Sequence, residues 1–209
     1  MVFSDLLLFS GWGLISPIFA IFVIGNVEEA TLTMVGIASA VYWLARALVQ
    51  PGTAKILDRR PGEKDDFWAL VLSLFAVAIA SFALAVVQTP MSLYLVQVLH
   101  GAAFGVYSVA WPAIFSRHMD TGGVAFDWSL DRAAVGVVVA FTSVVGAELA
   151  ELVGFRSVFV ITGVASIISA LVLFAVPKLI LPRANRKSSP TERAVRAHRR
   201  HRARSAVGI

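Results

Sequence analysis

The sequence predicts an all-α integral membrane protein with six transmembrane helices. Three observations carry that prediction. Hydrophobic residues make up 58% of the 209-residue chain, charged residues make up 15%, and the mean hydropathy is +0.79; an ordinary soluble domain is only about half apolar. The apolar residues gather in six runs, each close to the roughly 20 residues a helix needs to cross hydrocarbon at about 1.5 Å per residue. The charges fall between these runs or beyond the last one, with ten of the eighteen Lys and Arg residues lying between Lys178 and Arg204.

Taken in order, the spans are Leu6–Ile24, Thr33–Ile56, Phe67–Val87, Met91–Phe115, Ala133–Leu152 and Ser157–Leu181. The first has Asp5 and no cation at its flank and no clean small-x-small cleavage site, so it reads as an uncleaved helix rather than a signal peptide. Thr31 or Thr33 can cap the second by accepting from free backbone N–H groups. From Gln50 to Trp68 runs a charged hinge holding Lys55, Arg59, Arg60 and Lys64 against Asp58, Glu63, Asp65 and Asp66. So many charges cannot sit in hydrocarbon. The third span contains no charged residue, and Asp65 or Asp66 can cap its start. Pro90 suits the first turn of the fourth, and Pro112 near its end predicts a kink or an exit. Asp127 or Ser129 is the expected cap of the fifth, and Pro177 falls near the end of the sixth. Trp68, Trp111 and Trp128 are expected as interfacial anchors.

Two regions follow: residues 1–182 as the membrane domain and residues 183–209 as a basic tail, expected to be disordered in isolation. Lys and Arg are concentrated in the loop at Gln50–Trp68 and the tail, with Arg156 alone expected on the opposite side, which places loop and tail on the cytoplasmic side, together with both termini, in an inner or plasma membrane. The tail is expected to touch anionic lipid at about 1 kcal/mol per basic residue near the surface. Nucleic-acid binding has only the charge in its favour, with no aromatic interleaving to support it.

Enzyme chemistry finds no foothold in the sequence. With no cysteine there is no disulfide, thiolate metal site or thiol nucleophile. The patterns for a serine elbow, a zinc pair, a phosphate loop and a dinucleotide fold are all missing, so neither catalytic residues nor a cofactor are expected. Ser108 and His100 are separated by about 12 Å along one helix, too far to act as nucleophile and base.

Polar residues do line up inside the spans. At 100° per residue, Gln97, His100, Phe104, Tyr107, Ser108 and Trp111 share about a third of the circumference of the fourth span. Such a stripe serves either a solute path or interhelical packing, and the Gln97 and His100 pair favours the path, because intramembrane polar groups face an interior or a wet cavity. A second stripe on the second span holds Ser39, Trp43, Arg46 and Gln50. Arg46 either lines a path for an anion or is a structural cation that needs Asp120, Asp127 or Asp131 as its partner.

The pair Asp58-Arg59 in the charged hinge resembles the loop between helices two and three of major facilitator superfamily transporters. The flanking glycines are displaced: Ala54 and Pro61 stand where the family has glycine, and Glu63-Lys64 where it has a basic pair. Gly154-Phe155-Arg156 with Phe159 is similar to the turn joining the family's helices five and six. Tyr94 to Gly101, continuing through Gly105 to Pro112, looks like its fourth helix. These similarities run from Leu6 to about Leu181. The resemblance implies one six-helix half of a twelve-helix transporter, itself a three-plus-three inverted repeat. It further implies a homodimer, or a pair with another six-helix chain, that moves a small solute by alternating access. It sets Trp12 and Ser16 beside the fourth-span stripe on the substrate path. It also implies a gate in which Asp58 and Arg59 meet the fifth span of a partner subunit near Arg132. The competing expectation is a membrane scaffold that does not transport and uses the tail as an interaction arm.

Overall fold

The computed structural model describes residues 2–59, 64–118 and 123–175. They form seven helices: α1 (Val2–Ile15), α2 (Phe19–Asn26), α3 (Leu32–Leu57), α4 (Lys64–Leu84), α5 (Pro90–His118), α6 (Val124–Val153) and α7 (Phe155–Phe174). Helices α3 to α7 are each long and apolar enough to cross a membrane, and α1 with α2 makes one further span, bent by 47°. The chain is an integral membrane protein. The basic tail, Asp120, Arg60 and Pro177 lie outside the described residues.

The expected first helix is broken. Pro17 lacks the N–H that would bond the Gly13 carbonyl, so α1 closes with Ser16 N–H on the Trp12 carbonyl and a tighter bond from Ile18 to Ile15. Pro51 and Pro112 instead lie within continuous helices, and the kink or exit expected at Pro112 gives way to a helix reaching His118. The fifth span starts nine residues earlier than the apolar run suggests, at Val124 after Gly123, whose N-cap position has no side-chain bond. Asp127 and Ser129 therefore sit inside α6. Thr31 does cap α3, accepting from Met34 N–H at 3.3 Å. Between α6 and α7 the chain turns on Gly154, at φ 81°, a backbone state that suits glycine.

Packing follows an internal repeat. Helix α3 lies along α5 as α6 lies along α1; α4 packs on α5 as α7 packs on α1; and α4 meets α7 between them. The pairs α1/α5, α3/α6 and α4/α7 thus occupy equivalent places, as a three-plus-three inverted repeat requires. Small residues permit the two equivalent close approaches. A Cβ on Gly101 would strike the Tyr42 backbone of α3, and one on Gly146 would lie 2.6 Å from Leu14 Cα of α1. Polar ties add to this in the α1–α7 seam: Ser169 donates to the Ser4 carbonyl at 2.7 Å and Thr162 to the Gly11 carbonyl at 3.2 Å.

Burial is uneven. Helices α4 and α5 bury more than half of their apolar stretch, whereas α3 and α6 bury about a tenth. The small residues Gly146, Gly163, Ser166 and Ser169 are buried within the chain, while Gly136 and Ala140 are exposed on α6. Trp111 also departs from expectation. It is 1% exposed and stacks on Phe115 at 4.6 Å, so it is a core residue and not an interfacial anchor. Trp68 is 53% exposed.

Candidate functional site

Between α1, α3 and α5, beside the break after Ile15, lies a cavity of about 180 Å³. Trp12 and Ser16 line it from the first span, Ser39, Tyr42 and Trp43 from α3, and Gln97 and His100 from α5. Its shape follows from the close approach at Gly101, which sets Tyr42 against the His100 turn of α5. Trp12 and Tyr42 stack at 5.6 Å with 22° between their planes. His100 is enclosed by Trp12 at 5.8 Å, Tyr42 at 5.6 Å and Phe104 at 5.2 Å. The space therefore offers flat ring surfaces together with an amide, an imidazole and three hydroxyls. That mixture binds small solutes by contact and orients them by a few polar groups.

Arg46 lies one turn along α3 from Tyr42 and Trp43. Its guanidinium sits 5.1 Å from the Trp43 ring centroid and 5.9 Å from that of Phe104. Its Nε is buried and has no hydrogen-bond partner. Of the acids considered for it, Asp131 is bonded to Arg132 and Asp127 lies in the first turn of α6. Gln50, one turn further on, donates to Ser108 Oγ at 2.7 Å, and Ser108 donates in turn to the Gly105 carbonyl at 3.0 Å.

The lower part of the α5 stripe enters a different environment. Tyr107 donates to one oxygen of Asp5, and Arg132 donates to the other at 2.8 Å. Arg132 also bonds Asp131 through Nε at 2.9 Å and through a terminal nitrogen. Its guanidinium lies 5.3 Å from the Trp111 ring and 5.7 Å from that of Phe9. Asp5 and Asp131 are almost wholly buried, while the Arg132 side chain is 46% exposed. Burial of two carboxylates on a single guanidinium is tolerable only because every strong contact is charge-assisted. Even so, Asp131 Oδ1 and Trp111 Nε1 are left without partners.

Thus the structure brings Trp12, Ser16, Gln97 and His100 to one cavity, with Phe104 and Arg46 against its wall. It places Ser108 on Gln50, and Tyr107 and Trp111 in the ion network. Asp58 and Arg59 are exposed at the end of α3. Arg132 bonds Asp5 and Asp131 within the chain. Asp5 was missed as a site residue because it appears in the sequence only as a flanking charge. Helical spacing held the clue, since Asp5, Phe9 and Trp12 fall on one face of α1. A second pair, Arg117 with the buried Asp66, ties α5 to the start of α4. Among the described residues no group of three His, Asp or Glu side chains could hold a metal ion.

The Major Facilitator Superfamily model matches residues 1–207. The chain belongs to the major facilitator superfamily. Among curated relatives in the superfamily, it is 29% identical over 164 residues to "Multidrug resistance protein MdtG" of Enterobacter lignolyticus (strain SCF1), covering 76% of this chain and 38% of that protein. The proteins of the same name from Salmonella arizonae and Salmonella newport match equally, at 29% over 164 residues, with 76% of this chain and 39% of theirs covered. The chain thus spans well under half the length of the curated relatives it matches.

Proposed function

We propose that the chain is a secondary transporter that moves a small solute by alternating access. It would work as a homodimer, with a two-fold axis along the membrane normal standing in for the pseudo-two-fold of twelve-helix relatives. The observations that carry this reading are the open-sided cavity between α1, α3 and α5 and the low burial of α3, which lines it, and of α6. A second six-helix unit laid against those helices would supply the missing wall. The similarity to proteins named for multidrug resistance supports a solute that offers apolar surface.

In this proposal the end carrying Asp58, Asp66 and Arg117 faces the cytoplasm, as the loop charges require. Asp58 would meet the N-terminal end of the partner's α6, where the helix dipole favours a carboxylate. Arg132 would be shared between that contact and its own Asp5. Native mass spectrometry of the 209-residue chain in nanodiscs tests the assembly, together with disulfide cross-linking of Phe141→Cys on the exposed face of α6. A dimer that cross-links at this position supports the reading. A monomer in every lipid tried sinks the homodimer and leaves the bundle as a scaffold or as one half of a heteromeric pair.

A further inference from the structure

We propose that the cavity selects small organic anions carrying a single aromatic ring, with Arg46 reading the charge. The inference rests on the transport reading above and adds the chemical class of the solute.

Size comes first. A cavity of about 180 Å³ is close to the roughly 150 Å³ that holds one benzene in an engineered apolar cavity. Shape comes second. The Trp12 and Tyr42 rings are nearly parallel, and Trp43 stands across Tyr42 at 5.4 Å and 83°. A flat ring finds both a stacking face and an edge there.

Charge decides between classes of ligand. An aromatic box alone would suit a cation. No carboxylate lines this one, and among the described residues none is within ion-pair distance of Arg46. The nearby buried acids, Asp5 and Asp131, are turned away onto Arg132. Arg46 meanwhile holds a positive charge at membrane depth against two ring faces, with a buried N–H donor that bonds nothing. An unmet buried donor is costly, and an anionic acceptor removes that cost while neutralising the charge. Trp43 joins the two features, since its ring both lines the cavity and carries the Arg46 guanidinium.

The test uses the full chain in nanodiscs and three probes of matched size: 4-fluorobenzoate, 4-fluorobenzyl alcohol and 4-fluorobenzylamine, followed by fluorine NMR line broadening. Wild type binds the carboxylate most tightly and the ammonium least. Arg46→Gln weakens carboxylate binding by about tenfold, to the level of the alcohol, as expected for loss of a charge-assisted bond. Arg46→Lys keeps the order carboxylate above ammonium. A gel-filtration profile like wild type qualifies each variant. If Arg46→Gln does not fold, Arg46→Lys decides alone, because the proposal requires it to retain that order. Equal or tighter binding of the ammonium, or a carboxylate preference that survives Arg46→Gln, overturns the proposal. Vesicle uptake separates the two readings. Arg46-dependent binding without uptake keeps the anion site and removes the transporter, whereas uptake indifferent to Arg46 and to probe charge does the reverse.

Discussion

Asp5 and Arg132, 127 residues apart in the chain, meet at 2.8 Å across the α1–α6 seam. The contact is unequal, because the Asp5 side chain has no exposed surface and the Arg132 side chain is nearly half exposed. Arg132→Gln would strip two buried carboxylates of their cation and is expected to destabilise the bundle by about 2 kcal/mol, below the usual cost of breaking a buried pair because Arg132 is partly solvated. Asp5→Asn, which retains an acceptor for Tyr107, costs about 1 kcal/mol. Adding Asp5→Asn to Arg132→Gln recovers part of the loss. Unfolding midpoints in a denaturing-detergent titration give the three numbers, and strict additivity would falsify the coupling.

The same asymmetry governs Asp66 and Arg117. Asp66 is 1% exposed and Arg117 is 40% exposed. Arg117→Gln is expected to cost about 2 kcal/mol, because it abandons a buried charge, and Asp66→Asn about 1 kcal/mol, because the partly exposed Arg117 side chain can reach water. The order of the two thermal shifts is the readout. An Asp66→Asn variant that proves the more harmful would mean that Arg117 is the member that depends on the pair.

Backbone contact across the repeat makes two glycines intolerant of any side chain. Gly146→Ala and Gly101→Ala each drive a methyl into the facing helix and are expected to lose about 1–3 kcal/mol by overpacking. Gly25→Ala, where nothing lies within 4 Å of the added atom, stays within about 0.5 kcal/mol of wild type. Comparable stability in all three would show that α3 and α6 do not lie as close to their partners as described.

Because the chain has no cysteine, single thiols report access without background. Ser16→Cys and Ser39→Cys, both on the cavity wall, should react with a small charged maleimide added to intact protein in nanodiscs. Ser81→Cys, at 0% exposure on α4, should stay unlabelled until the protein is denatured. Silence at both cavity positions would mean that the space is closed to water.

Span number and the polar stripe of α5 were legible in the sequence because both depend on residue type and helical period. Of the charged stretch expected as a hinge, residues 50–57 instead close α3 and residues 64–68 open α4, while residues 60–63 lie outside the described residues. Start positions were less legible. The polar residues Asp127, Asp131 and Arg132 look like loop until their neighbours are known; Asp5 and the Trp111 ring, distant in sequence, receive the charge of Arg132, and Arg132 in turn pairs with Asp131. Proline gave mixed signals. Pro51 and Pro112 lie within unbroken helices, while Pro17 ends α1, and residue type alone does not separate these cases. Trp111 illustrates the remaining gap. An aromatic ring near a helix end suits an interface or a core equally, and only the positions of Phe115, Trp128 and Arg132 decide between them.

The break at Pro17 divides the first span into two rods with different anchors. Below it, α1 is fastened to α7 by Ser4 and Thr162 and to α6 through Asp5. Above it, α2 packs on α3 and sets Phe22 against Phe155 and Phe159 of α7, at 6.0 and 4.6 Å. Bonded polar seams resist sliding, whereas ring-on-ring contacts permit a roll with little loss of area. The joint sits beside Ser16, on the cavity wall, so a small tilt of the short upper rod would change the width of the opening while the lower rod stayed clamped.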